Sequence, residues 1–120
     1  MAQIDNIMDL LEYGVKSESL RNRAIASNVA NQNTRDYRRV DVHFEEILSK
    51  ALESGEVIKL EDIESSLYQP QNTPVKSDGN DVSFDLEVGN MVRNSLRHKT
   101  MLRLLQKKYA QMDLAIRTSG

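Results

Sequence analysis

SFDLEVGNMVRNSLRHKTMLRLLQKKYAQMDLAIR, residues 83–117, decides how the chain folds. Along it Phe84, Val88, Met91, Ser95, His98, Leu102, Leu105, Tyr109, Met112 and Ile116 recur at alternating spacings of four and three. Eight of these ten positions are apolar, and the breaks fall at Ser95 and His98. A repeat averaging about 3.5 residues is the seam of a helix that packs along another helix. A helix from Ser83 to Arg117 is roughly 52 Å long at a rise of 1.5 Å per residue. Ser83 is placed to cap its start, with Asp85 and Glu87 near the positive end of the helix dipole. Lys107, Lys108 and Arg117 lie towards the far end.

The N-terminal segment carries a matching pattern. Ile4, Met8, Leu11, Val15, Glu18, Asn22, Ile25 and Val29 keep the same spacings, with polar breaks at Glu18 and Asn22. From Ile4 to Asn31 such a helix is roughly 42 Å long. Gly14, inside it, costs roughly 1 kcal/mol against Ala and reads as a weak point or slight bend. The two seams predict a mainly α fold: two long terminal helices in an antiparallel, coiled-coil-like hairpin around a short irregular middle. The segments are 1–33 (N-terminal axial helix), 34–82 (middle) and 83–120 (C-terminal axial helix). If Ile4 faces Ile116, Asn22 falls opposite His98, so two polar breaks meet in one layer and set the register.

In the middle, Asp41 is expected to cap a short helix over about 41–53, with Phe44, Ile47, Leu48, Ala51 and Leu52 on one face. Gly55 is expected to end it. Val57, Ile58 and Leu60 suit a short extended piece. Residues 65–81 hold Pro70, Asn72, Pro74, Asp78, Gly79 and Asn80, which is loop chemistry. Residues 53–78 lack the heptad pattern and are expected to be dispensable for contacts between the long helices.

Composition agrees with thin helical packing. Of 120 residues, 39% are apolar, 28% are charged and 5% are aromatic, with no Trp. Two narrow seams with so little bulky filling leave much apolar edge for partners to cover. The net charge of −2 argues against binding to nucleic acid or membrane through the chain as a whole. Local charge is uneven: residues 93–108 carry Arg93, Arg97, Lys99, Arg103, Lys107 and Lys108 without an acid, and residues 41–65 carry eight acids against Lys50 and Lys59. The two could attract each other within a subunit or between subunits. The absence of Cys excludes disulfides and thiolate metal sites. No apolar run approaches the ~20 residues that span a bilayer. Asp5, Asp9 and Glu12, with no basic lead, do not make a secretory signal peptide.

Ala26-Ser27-Asn28-Val29-Ala30-Asn31-Gln32-Asn33-Thr34-Arg35-Asp36-Tyr37 closes the first helix. Its asparagines compete for backbone groups and favour a helix end, and its small residues permit close helix approach. An ordinary helix terminus accounts for that much. The stretch also resembles the signature of bacterial flagellar rod and hook proteins, Ala-Ser-Asn-x-Ala-Asn-x-x-Thr-x-x-Tyr, at Ala26, Ser27, Asn28, Ala30, Asn31, Thr34 and Tyr37. Arg35-Asp36 stand where that family usually has Pro-Gly. Gly79, Asn80, Val82 and Glu87 resemble the family's entry to its last helix, and Asn94-Ser95-Leu96-Arg97 continues the likeness. Both ends together, in so short a chain, resemble the proximal rod members of this axial family.

The resemblance implies a structural subunit rather than an enzyme, with no catalytic, metal or cofactor site. It implies polymerisation through the terminal helices into the hollow periplasmic drive shaft of the flagellum. It implies export by the flagellar type III apparatus without a cleaved signal. The implied partners are copies of itself, other rod proteins, the rod-base adaptor and the inner-membrane MS ring, with no nucleic acid and no membrane span. The alternative is a small all-helical nucleic-acid-binding or regulatory protein using the basic C-terminal helix, where Lys99, Arg103 and Lys107 could meet phosphates. That helix lacks interleaved surface aromatics. Catalytic rivals are thin. His43 and Glu46 have a metal-sharing spacing but no second pair, and Asp78-Gly79-Asn80-Asp81 lacks EF-hand spacing.

Overall fold

The computed structural model describes residues 7–55 and 58–119, without the side chains of 7, 8, 51, 52, 60 and 119. Two long helices, α1 (Ile7–Ala30) and α4 (Phe84–Ser119), bracket a middle that holds β1 (Asp41–Val42), α2 (Phe44–Ser54), α3 (Leu60–Glu64) and β2 (Leu67–Tyr68). The molecule is long and thin, 66 × 29 × 17 Å, with a radius of gyration of 17.7 Å. A compact domain of this length has a radius near ~14 Å.

The long helices run antiparallel. Tyr109 Oη donates to Glu12 at 2.5 Å near one end. Asn94 Nδ2 donates to the Glu18 carbonyl at 3.1 Å and to Asn22 Oδ1 at 3.2 Å further along. Between these, Gly14 lets α4 come close: a Cβ there would stand 2.8 Å from Met101 Sδ. Gly14 is therefore a packing position as well as a weak one for the helix.

At the start of α4 the Leu86 N–H reaches Ser83 Oγ at 3.4 Å, with Asp85 and Glu87 in the first turn. Gly55 follows α2 with a φ of +72°, a left-handed conformation that costs Gly little and stops a helix.

The core does not lie along the hairpin seam. Leu20 and Ala24 of α1 pack with Val42, Phe44, Ile58 and Ile63, and Tyr13, Val40, Ile47 and Leu48 close around them. The middle thus folds onto α1 and supplies most of the dry interior. The expected helix from Asp41 begins instead at Phe44, because Asp41 and Val42 pair antiparallel with Tyr68 and Leu67. Leu60 opens a helix rather than an extended piece, and the strand falls within the expected loop. Val57 lies outside the described residues.

Candidate functional site

The two stretches that carried the resemblance are far apart in sequence and meet at the junction of α1 and α4. Asn28, in the last two turns of α1, is fully buried. Its Nδ2 donates to the Val40 carbonyl at 2.9 Å, and its Oδ1 accepts from the Val40 N–H at 2.9 Å and from Tyr37 Oη at 3.0 Å. Tyr37 Oη also lies 3.1 Å from Ser27 Oγ. After the helix, Asn31 Nδ2 caps the Ser27 carbonyl at 2.8 Å, and Thr34 Oγ1 donates to Asn31 Oδ1 at 3.0 Å. The asparagines that weaken the helix are the groups that turn the chain at its end.

Asn80 completes the junction from the other side. It is buried, and its Nδ2 donates to the carbonyls of Asn31 and Thr34 at 2.8 and 2.7 Å, while its Oδ1 accepts from the Val82 N–H. Asp36 has a φ of +61° and Gly79 a φ of +84°. The Asp36 N–H donates to the Asp78 carbonyl at 2.9 Å. A Cβ on Gly79 would stand 2.1 Å from Asp36 Oδ1, so only Gly fits against that turn. Asp36 therefore keeps a left-handed turn where the resembled signature has Gly.

Charge locks the same junction. Buried Asp81 accepts from the Arg39 N–H at 2.6 Å and from Arg38 Nε at 3.1 Å. Arg39 Nε donates to Glu87 Oε1 at 2.8 Å, with Asp41 3.6 Å away. Burial lowers the pKa of Arg39, but the Glu87 hydrogen bond and the charges of Glu87, Asp41 and Asp81 outweigh it and hold the guanidinium above its ordinary value. The sequence pattern did not point to Arg38 or Arg39, and it offered Asp81 only within a turn that lacks EF-hand spacing. They pair across 42 to 48 residues, where no periodicity connects them. The only available signal was two adjacent arginines beside one motif and an acid inside the other.

This arrangement fastens helices together: its polar side chains bond to backbone, to one another or to a counter-charge. Among the described residues no group of three His, Cys, Asp or Glu side chains could hold a metal ion, and no helix is long and apolar enough to cross a membrane. His43 rests on Tyr68, ring centroids 4.6 Å apart.

No protein-family model matches the chain. Curated proteins do match it over nearly its whole length. A protein named flagellar basal body rod protein FlgB from Aeromonas hydrophila is 26% identical over 124 residues, covering 94% of each chain. One of the same name from Cereibacter sphaeroides is 29% identical over 121 residues, covering 88% of this chain and 94% of its own. One from Bacillus subtilis is 21% identical over 125 residues, covering 97% of each. At 21–29% identity over most of the chain, such matches support a FlgB-family assignment.

In this FlgB-like chain the signature residues divide by exposure. Asn28, Asn80, Val82, Glu87 and Asn94 are buried, whereas Ala26 and Ala30 are exposed on the outer side of α1. The seam residues divide by helix. On α1, Leu11 and Ile25 are buried and Val15 and Val29 half-buried; Ile4 and the Met8 side chain lie outside the described residues. On α4, only Leu105 is half-buried. Phe84, Val88, Met91, Leu102, Tyr109, Met112 and Ile116 are exposed, with Ile116 at 68%. The inward face of α4 instead includes Glu87, Asn94, His98, Met101 and Leu105; Asn94 and Met101 meet α1, and Glu87 meets Arg39 of the middle. Asn22 meets Asn94, and His98 stands one turn beyond.

Proposed function

We propose that this chain is a structural subunit of the bacterial flagellar basal-body rod, not an enzyme. The observation that carries the reading is the near end-to-end similarity to proteins named FlgB. The fold supports it: a latch at Asn28, Asn80, Asp81 and Glu87 sets two helices side by side and leaves a long apolar stripe on α4 uncovered. Terminal helices of neighbouring subunits cover that stripe, and α1 and α4 thereby polymerise into the proximal rod, a hollow shaft that transmits torque. The seam residues of both helices act as its contacts, with Asn22 and His98 as polar positions within them. The subunit works in the periplasm above the MS ring and the rod-base adaptor, beside other rod proteins, after export by the flagellar apparatus without a cleaved signal.

Many weak contacts repeated in a lattice make a stiff shaft without strong single ones. An open assembly requires contacts that do not close on themselves, which suits a long subunit with different surfaces at its two ends. The basic residues of α4 are spread among apolar ones, so the nucleic-acid reading is not favoured. Imaging of isolated basal bodies from cells with and without the gene tests the proposal. Loss of the rod, or of its base, on deletion is expected; intact rods without the protein overturn it.

A further inference from the structure

The basic stretch of α4 and the acidic middle do not pair with each other within the chain. Asp41 meets Arg39, Glu45 meets Arg21, and Asp62 accepts from the Lys59 N–H. Glu46, Glu53, Glu61 and Glu64 are exposed and have no ion-pair partner among the described residues. Lys50, between Glu46 and Glu53 on α2, offsets part of that charge, whereas Glu61 and Glu64 of α3 have Lys59 as their nearest base in sequence. On α4, Arg97 lies 4.0 Å from Glu18. Lys99, Arg103 and Lys107 are exposed and meet no acid among the described residues.

These bases share one face. Val92, Leu96, Lys99, Arg103 and Lys107 recur at spacings of four, three, four and four, and all are exposed. Asn94 and Met101 face α1. At about 100° per residue Arg103 stands half a turn round from Asn94, so this face points away from α1. In the middle, Leu67 and Tyr68 of β2 follow closely after Glu61 and Glu64 and are 42% and 39% exposed. Each surface thus combines apolar groups with unpaired charge, and the charges are opposite.

Resting on the rod reading above, we infer that the outward face of α4, at Leu96, Lys99 and Arg103, docks on the α3–β2 surface of a second copy of this chain, at Glu61, Glu64 and Leu67. A second copy is the occupant because each chain carries both halves of the contact and joins neither to the other. The two patches differ, so the contact is head-to-tail and propagates instead of closing into a pair.

Two charge-reversed forms of the purified full-length chain test this: Lys99→Glu with Arg103→Glu, and Glu61→Lys with Glu64→Lys. Sedimentation of the wild type at low salt should show concentration-dependent association that weakens as salt rises. Each reversed form, checked by its melting to be folded, should associate at least about tenfold more weakly. The neutral pair Lys99→Gln and Arg103→Gln should fall between. Mixing the two reversed forms sets an acidic α4 against a basic α3 and should restore association. A wild type that stays monomeric, reversed forms that associate like it, or a mixture no tighter than its components overturns the inference. So does association that nuclease treatment abolishes, because a nucleic acid then occupies the basic face. The rod reading fails separately, by rods that stay intact when the gene is deleted.

Discussion

Asn28 holds both backbone groups of Val40: its amide donates to the carbonyl and its oxygen accepts from the N–H, each at 2.9 Å. One side chain thus does for residue 40 what a neighbouring strand would do, and it anchors the segment leaving α1 to the helix itself. Asn28→Ala should leave two buried backbone groups unpaired, at about 1–3 kcal/mol each. We expect a total loss of about 3 kcal/mol, read from urea midpoints. Asn28→Asp keeps the acceptor but faces a carbonyl with no donor, and should also be less stable than wild type. A loss below about 0.5 kcal/mol for Asn28→Ala would show that Val40 finds other partners.

The Arg39–Glu87 pair joins the middle to α4 at 2.8 Å with the carboxylate fully buried. Removing one partner strands the other charge, so Arg39→Leu and Glu87→Leu should each cost about 3–5 kcal/mol. The double variant should lose clearly less than the sum, because neither charge is left alone. A double-mutant cycle by chemical denaturation checks this. Additive losses would mean that the two residues act independently.

Asp36 pays a conformational cost that Gly would not. At a φ of +61°, Asp36→Gly should stabilise the fold by about 0.5–1 kcal/mol. Its side chain is 80% exposed and its ion pair to Arg35 is 4.0 Å long, so little is lost with it. Asp36→Val should be destabilising. Gly79→Ala should be strongly so, and less so when combined with Asp36→Gly, which removes the oxygen that a Cβ on residue 79 would strike. Thermal melting of the four variants tests the order.

Burial pushes the Glu18 carboxyl above the ordinary glutamate range, although Arg21 and Arg97 pull it partway back. Between the ordinary value and the raised one, the folded chain holds a proton that the unfolded chain has released. Stability from this residue is therefore present at acid pH and falls as pH rises through that window. Glu18→Gln removes the slope: the variant should match wild type at acid pH and be at least as stable at neutral pH. Urea midpoints across the pH range decide it. A wild type that gains on the variant as pH rises would show that the two arginines outweigh burial.

Ile58 and Ile63 are each 2% exposed within the core. Ile63→Ala should cost about 2–5 kcal/mol. Replacing residues 56–66 by a flexible linker should loosen α1 as well as the middle, seen as faster hydrogen exchange around Leu20 and Ala24. Unchanged exchange there would support the expectation that residues 53–78 are dispensable for contacts between the long helices.

Sequence by itself determined the two long helices, the helix end at Asn31 and the turn around Gly79. Each is a local matter: periodicity, capping chemistry and backbone freedom act within a few residues. The antiparallel return was also expected, from two seams whose polar breaks meet when the helices run in opposite directions. Tertiary structure alone decided which face of α4 looks inward. A search for apolar repeats finds Phe84, Val88, Leu102 and Tyr109, but the inner face includes Glu87 and Asn94. Those two can be buried because Arg39 meets one at 2.8 Å and Glu18 and Asn22 accept hydrogen bonds from the other. No pattern along the helix announces such partners, since they come from elsewhere in the chain. The small elements of the middle were hidden for a related reason. A helix of five residues and strands of two are too short to show a period, and they exist because Ile58 and Ile63 find Leu20 and Phe44 to pack against.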